Sequence, residues 1–349
     1  MAAITVSDAD APVFVVSSGR CGSTLVSEIL ESHPDILSLS ELLMAANIHA
    51  FSKKFLSGVE FWDRFSRPRR AMSDILTPSS CPNEFKYDFS RSNRYSRQTL
   101  PPILFMTLPR LSNNPIELFD RLGAYFATRP RAGISKHYYA LFSWLRAELG
   151  RKIVVERSGG SLMLLKALIR NFKNARFVHL SRDGRDVAAS IHHYLPLRLL
   201  AMSWNSARNV GVNLLAPPFL FGESRILSWA DRNIGQHLDL TRQLHADVPI
   251  ETIGEFWSTL VIAAESALNE LPKDRVHKMK FESLIDNPKA EISELFSFIG
   301  AAAVSENDLQ LLAEKISPQT RRLEMLSVEQ RVNLEQSCAP GLAALGYAT

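Results

Sequence analysis

Cysteine is scarce in this chain. Its three copies, Cys21, Cys81 and Cys338, have no C-x-x-C spacing, so neither a disulfide framework nor a thiolate zinc site is expected. No apolar run reaches the roughly 18 residues of a membrane-spanning helix, and no transmembrane segment is expected. The opening MAAITVSDADAP lacks a charged stretch followed by an apolar one. A secretory signal is therefore not expected, and a cytoplasmic location is. Charge of one sign is also in short supply. A formal net charge of +4 on 349 residues suits a polyanionic small molecule but makes no case for nucleic acid. The densest basic run, Arg67-Pro68-Arg69-Arg70, reads as a solvated loop. Two phosphate-loop signatures are missing as well, G-x-x-x-x-G-K-[ST] and G-x-G-x-x-G, which argues against a nucleoside triphosphatase loop and a dinucleotide fingerprint.

What is present is an ordinary globular balance, 46% hydrophobic and 22% charged, enough for a sizeable core. One α/β domain over residues 1–349 is the expected organisation. The stretch Pro12 to Glu41 opens with Val13-Phe14-Val15-Val16, which suits a buried parallel strand. A small polar loop, Ser17 to Thr24, follows. Leu25 with Ile29 and Val26 with Leu30 then mark one apolar helix face. Strand, glycine loop and helix aim free N–H groups and a helix dipole at an anion. Arg20 adds a planar cation, and Ser23 and Thr24 add hydroxyl donors. An ordinary strand–turn–helix with Gly22 in the turn is the plain alternative.

A second such passage begins at the strand Arg176–Ser181. Arg182-Asp183-Gly184-Arg185-Asp186 forms a basic turn, and a helix carrying Ser190 follows. Arg182 can meet a phosphate bidentately and Ser190 can add a hydroxyl. The plain alternative is a capped helix start with surface ion pairs among Asp183, Arg185 and Asp186. Further strands are expected at Ile36–Leu39, at 131–136 and at 152–156. Helices are expected at 138–149, 162–171 and 290–299, at 116–128, and from Glu41 to about Arg64. Strands alternating with helices predict a parallel sheet with sites at the strands' carboxyl ends.

Gly19-Arg20-Cys21-Gly22-Ser23-Thr24 resembles the first signature of the sulfotransferases that use 3′-phosphoadenosine 5′-phosphosulfate (PAPS), with Cys21 in place of a hydroxyl residue. Ser32-His33-Pro34-Asp35 is similar to an S-H-P run of bacterial and tyrosylprotein members. Arg182 with Ser190 resembles the family's 3′-phosphate signature, with Gly184 replacing a common proline. Arg275 to Leu284, followed by Asn287-Pro288, resembles the family's last strand and the turn after it, and Leu345-Gly346-Tyr347 is similar to a closing motif of bacterial members, whereas the usual C-terminal R-K-G is absent and Arg321-Arg322 is a weak substitute. The resemblance implies a P-loop-kinase-like central parallel β-sheet flanked by helices, with a helical insertion at about 42–128 covering the acceptor site. It implies that Arg20, Cys21, Gly22, Ser23, Thr24 and Leu25 hold the 5′-phosphosulfate and that Arg182 and Ser190 hold the 3′-phosphate. Sulfonate would pass from PAPS to a hydroxyl, or less readily an amine, of a small-molecule, carbohydrate or lipid-linked acceptor, leaving the product 3′-phosphoadenosine 5′-phosphate (PAP). Sulfonate carries less charge than a γ-phosphoryl group, so no metal is required.

For the base, Glu41 is expected, at the carboxyl end of the second strand and six residues after Asp35, as in tyrosylprotein members. Its rival role is a helix cap within the pattern Ser38-Leu39-Ser40-Glu41. His33 and His49 are reserve bases, the first reading as a turn residue and the second as a helix-face residue. Glu156-Arg157 stands where the family carries E-K, and its role stays open. The apolar stretch Leu195–Phe221 reads as core, with an apolar acceptor pocket or a homodimer surface as alternatives. A P-loop kinase or hydrolase using ATP, or a catalytically silent nucleotide-binding interaction protein, are the competing functions.

Overall fold

A computed structural model of the protein describes residues 11–70, 85–235, 248–316 and 322–348. Cys81 and Arg321 lie outside the described residues, as does the whole stretch 71–84. At the centre is a five-stranded sheet in the order β2-β5-β1-β6-β7, built from β1 (Val13–Val16), β2 (Ile36–Ser40), β5 (Ile153–Arg157), β6 (Arg176–Ser181) and β7 (Val276–Lys280). Every pairing in it is parallel. All four residues of β1 are fully buried, as a central strand covered on both faces requires.

The chain leaves β1 through helix α1 (Ser23–Ser32) toward β2 at one edge, whereas β6 feeds β7 at the other. The loops after β1 and β6 therefore diverge, and a crevice opens at the strands' carboxyl ends. This is the place where open α/β sheets bind ligands. Helices Gly184–His192, Ile250–Asn269 and Val328–Ala344 pack together against the β6 side. No helix among the described residues is long and apolar enough to cross a membrane.

Three expectations need correction. The strand expected at 131–136 is only Ala132–Gly133 (β4), paired antiparallel with Phe55–Leu56 (β3) in a separate two-stranded sheet. Ile134 already opens a helix that runs to Leu149 and buries Ile134, Tyr138, Leu141, Phe142 and Leu145. Those residues recur at helical spacing, and that period wins over the local β-propensity. The helix expected from Glu41 to about Arg64 is broken in two. Helix α2 (Leu42–Ala46) ends at Asn47, whose φ of 52° is left-handed. A new helix, Gly58–Ser66, starts from a capping box between Ser57 and Glu60. Finally, Arg69 is no solvated loop residue. Its guanidinium donates to the carbonyls of Ala46 (3.1 Å) and Arg64 (2.6 Å), and burial pushes its pKa down to about 10.

Strand β5 carries a buried acid. Glu156 is fully inaccessible, and it accepts hydrogen bonds from the Leu43 N–H (3.1 Å) and the Ser158 hydroxyl (2.5 Å). Burial pushes its pKa up to about 8 despite those donors. The folded protein thus holds a proton on Glu156 that the unfolded chain releases near pH 4.5. Stability from this group is complete below that pH and declines as pH rises toward 8. Glu156→Gln does not titrate, so its stability relative to wild type should rise with pH between 5 and 8, by up to about 1.4 kcal/mol per unit. Parallel denaturation curves for the two proteins across that range would contradict this.

Candidate active site

The first loop leaves β1 in a conformation that its sequence dictates. Gly19 and Gly22 take φ of 82° and 85°, and Arg20 between them takes 56°. Glycine meets such angles without steric cost, whereas arginine does not. Gly22 is the N-cap of α1 and no side chain caps it. The N–H groups of Gly22 to Leu25 accordingly have no carbonyl partner, and they stand at the positive end of the helix dipole beside the crevice that their residues line. Gly22 has a second reason to be glycine, because a Cβ there would lie 2.2 Å from the Phe281 ring. Cys21 is fully buried, with its thiol pKa raised by desolvation. Its side chain does not line the crevice, so a ligand can meet only its backbone.

The second loop follows β6, the hydrogen-bonded neighbour of β1. Asp183 caps the helix Gly184–His192 by accepting from the Arg185 N–H. It also holds the Arg185 guanidinium through both carboxylate oxygens, at 3.0 and 2.7 Å. The capped-helix reading of this passage therefore holds for Asp183 and Arg185. Arg182 is different, since it lies over the Phe281 ring (5.0 Å) and 3.8 Å from Asp186, and it faces the crevice. A further tie comes from the chain's end. Tyr347 donates to Glu282 (2.8 Å), whose other oxygen accepts the Asp183 N–H (2.9 Å).

These two loops share one cavity of about 550 Å³. Arg20 joins them, donating from Nε to the Ser190 hydroxyl (3.0 Å) while lying over the Tyr194 ring (4.5 Å). Arg20, Gly22, Ser23, Thr24, Leu25, Arg182, Ser190 and Glu41 all line it. Glu41 enters from β2. Its carboxylate accepts from the Arg157 guanidinium and from the Gly159 N–H at 3.1 and 3.2 Å. Arg157, fully buried at the end of β5, also donates to Ser27 (2.8 Å) and Ser40 (3.3 Å). A buried cation needs such a set of partners. Glu41 makes no side-chain cap for α2, so the capping-box role is not the one it fills. Its φ of 60° is left-handed. The three non-glycine residues with positive φ among the described residues are Arg20, Glu41 and Asn47, and all three line this cavity. Backbone strain concentrates at sites where geometry serves a function.

The reserve bases are elsewhere. His33 forms a turn, accepting the Asp35 N–H at Nδ1 (3.1 Å), with Nε2 against the Ala302 carbonyl. His49 is held behind α2 by Ser228 (2.7 Å) and Asp231 (2.8 Å). Sequence reasoning did not single out Tyr194 or Phe281 as site residues, and it left Arg157 open. Only Arg157 carried a signal, a charge at the end of a buried strand. Arg322, one half of the weak C-terminal basic pair, lines the cavity.

A model of the sulfotransferase family matches residues 12–213. Carbohydrate sulfotransferase 5 of Mus musculus is 23% identical over 311 residues, 82% of this chain and 63% of that protein; the chain thus spans less than two thirds of that relative's length. Among solved structures, the sulfotransferase domain from the curacin biosynthetic pathway is similar with a TM-score of 0.48 and 13% identity, covering 97% of this chain and 98% of that one. Mouse sulfotransferase SULT7A1 complexed with PAP is similar with a TM-score of 0.41 and 11% identity, covering 97% and 89%. The family match takes in both loops, Glu41 and Arg157, and it extends over more than half of the chain: this protein belongs to the sulfotransferase family.

Proposed function

We propose that the protein transfers a sulfonate group from PAPS to an acceptor hydroxyl. The observation that carries this reading is the shared cavity: two anion cradles at neighbouring strand ends, bridged by Arg20 and Ser190. A ligand with phosphate groups at both ends of one nucleoside fits that layout. The N–H groups of residues 22–25, with Arg20, Ser23 and Thr24, suit the 5′ end. Arg182 and Ser190 suit the 3′-phosphate, and Phe281 offers an aromatic face between the two cradles. Lys86, Phe105, Met106 and Arg110 line the far side of the cavity, which supports the insertion at about 42–128 as the acceptor's cover.

In this reading the acceptor oxygen attacks sulfur in line. The new O–S bond forms as the S–O bond to the 5′-phosphate breaks, and the electron pair stays on the phosphate oxygen. Arg20 and the loop N–H groups face that oxygen, where negative charge develops. Glu41 takes the acceptor's proton, positioned by Arg157 and Gly159. Fixing the carboxylate in this way removes the need to reorient it during the reaction.

Two tests follow from these assignments. In titration calorimetry PAP should bind at least about 10-fold tighter than ADP, a loss of roughly 1.4 kcal/mol for the missing 3′-phosphate contact. Arg182→Ala should erase that preference; equal affinity of the two nucleotides for wild type would refute the 3′ site. Glu41→Gln should lower kcat by about 10²–10⁴-fold, the range of general-base catalysis, and leave PAP affinity within about threefold. Unchanged turnover in that variant would remove Glu41 as the base.

A further inference from the structure

Behind the second loop, the residues that follow the helix Val328–Ala344 are tied to the place where Arg182 leaves the sheet. Gly346 turns the chain there with a left-handed φ of 67°. The helix closes with N–H bonds from Gly346 to the Ala343 carbonyl (3.2 Å) and from Tyr347 to the Leu342 carbonyl (3.0 Å). Such a reversal is a common helix ending, and here it lays Tyr347 against the carboxyl end of β7. The Tyr347 hydroxyl donates to one oxygen of Glu282 (2.8 Å), and the other oxygen accepts the Asp183 N–H (2.9 Å). Lys280, the last residue of β7, donates to the Gly346 carbonyl (3.3 Å) and lies over the Tyr347 ring (4.3 Å). Arg185 reaches the Ala348 carbonyl (3.4 Å).

These ties converge on Arg182. Phe281 stands between Lys280 and Glu282 in the chain, and the Arg182 guanidinium rests over its ring at 5.0 Å. Asp183, whose N–H Glu282 holds, is the residue after Arg182. Arg182 is therefore placed twice, by the ring beneath it and by the backbone that follows it, and Tyr347 stands behind both. The helix that carries Tyr347 is itself fixed against the second loop. The buried Trp257 ring is wedged between them, 2.2 Å from where a Cβ on Gly184 would lie and 2.5 Å from one on Gly341. Burial and the Glu282 charge raise the Tyr347 pKa well above its usual value, so the hydroxyl stays a donor. Without that donor, a half-buried carboxylate must find another, and the Asp183 N–H loses its fixed acceptor. Tyr347 does not line the cavity, so it cannot act by touching the ligand.

We propose, building on the donor reading above, that Tyr347 is a positioning residue for the 3′-phosphate. Through Glu282 it fixes Arg182, and so sets how strongly the protein prefers a 3′-phosphorylated nucleotide. Lys280 assists by holding the Gly346 carbonyl and the Tyr347 ring.

Titration calorimetry of the full chain with PAP and with ADP tests this. Tyr347→Phe removes one oxygen and leaves the ring under Lys280. PAP affinity should fall about 5–10-fold while ADP affinity stays within about twofold, since ADP has no 3′-phosphate. In Arg182→Ala protein the same substitution should change PAP affinity by less than about twofold, because no guanidinium is left to place. Lys280→Met keeps the Tyr347–Glu282 bond and should lower PAP affinity about two- to threefold, again sparing ADP. If Tyr347→Phe does not fold, Lys280→Met decides, and an unchanged ratio of PAP to ADP affinity there would overturn the proposal. Equal loss for both nucleotides in Tyr347→Phe would overturn it, as would a lower melting temperature with that ratio unchanged. A full further loss of PAP affinity on top of Arg182→Ala would overturn it as well. No preference for PAP in the wild type would strike the donor reading instead, so the two failures are distinguishable.

Discussion

The parallel pairing of β1 with β6 is the constraint on which the site depends. Val13 to Val16 lie opposite Arg176 to His179 in register, so the two loops that leave these strands must begin side by side. Neighbouring strands in a sheet lie about 4.8 Å apart. The loops cannot drift from one another unless the buried centre of the sheet comes apart. Because the following helices run to opposite edges, the two loops open a crevice instead of closing on each other. The Arg20–Ser190 hydrogen bond then spans that crevice. A cation from one loop and a hydroxyl from the other form a single electropositive floor.

A second constraint is the buried charge at the end of β5. Arg157 stands in a fully inaccessible position, and its pairing with Glu41 and two serines offsets a desolvation cost that would otherwise be several kcal/mol. The same pairing orients Glu41 at the mouth of the cavity. Next to it, Glu156 accepts the N–H of Leu43 at the start of α2. Arg64 and Arg69 grip carbonyls at the far end of the same segment. The strained left-handed backbone of Glu41 and Asn47 is therefore held from both ends, as pre-organisation of a site requires.

Much of this was legible in the sequence because local signals and long-range pairing agree. The strands Val13–Val16 and Arg176–Ser181 and the two glycine-containing basic turns announce themselves by hydrophobic runs ending in small or charged residues. Glu41 was legible from its place after a short strand. What was not legible depends on contacts between distant segments. Ile134-Ser135-Lys136 reads as strand until the buried face of the helix Ile134–Leu149 is counted. Arg69 reads as surface until Ala46 and Arg64 supply carbonyls for it. Tyr194 gives no signal of its own, since it follows a helix whose end only the fold defines. Phe281 becomes a site residue only because Gly22, far away in sequence, leaves room for its ring.

A crystal of the protein soaked with PAP puts the central claim to its most direct test. A single molecule should lie across the crevice. Its 5′-phosphate should sit against the N–H groups of Gly22 to Leu25, and its 3′-phosphate within hydrogen-bond distance of Arg182 and Ser190. Density for the nucleotide elsewhere, or for one phosphate end with the other cradle empty, would contradict the account.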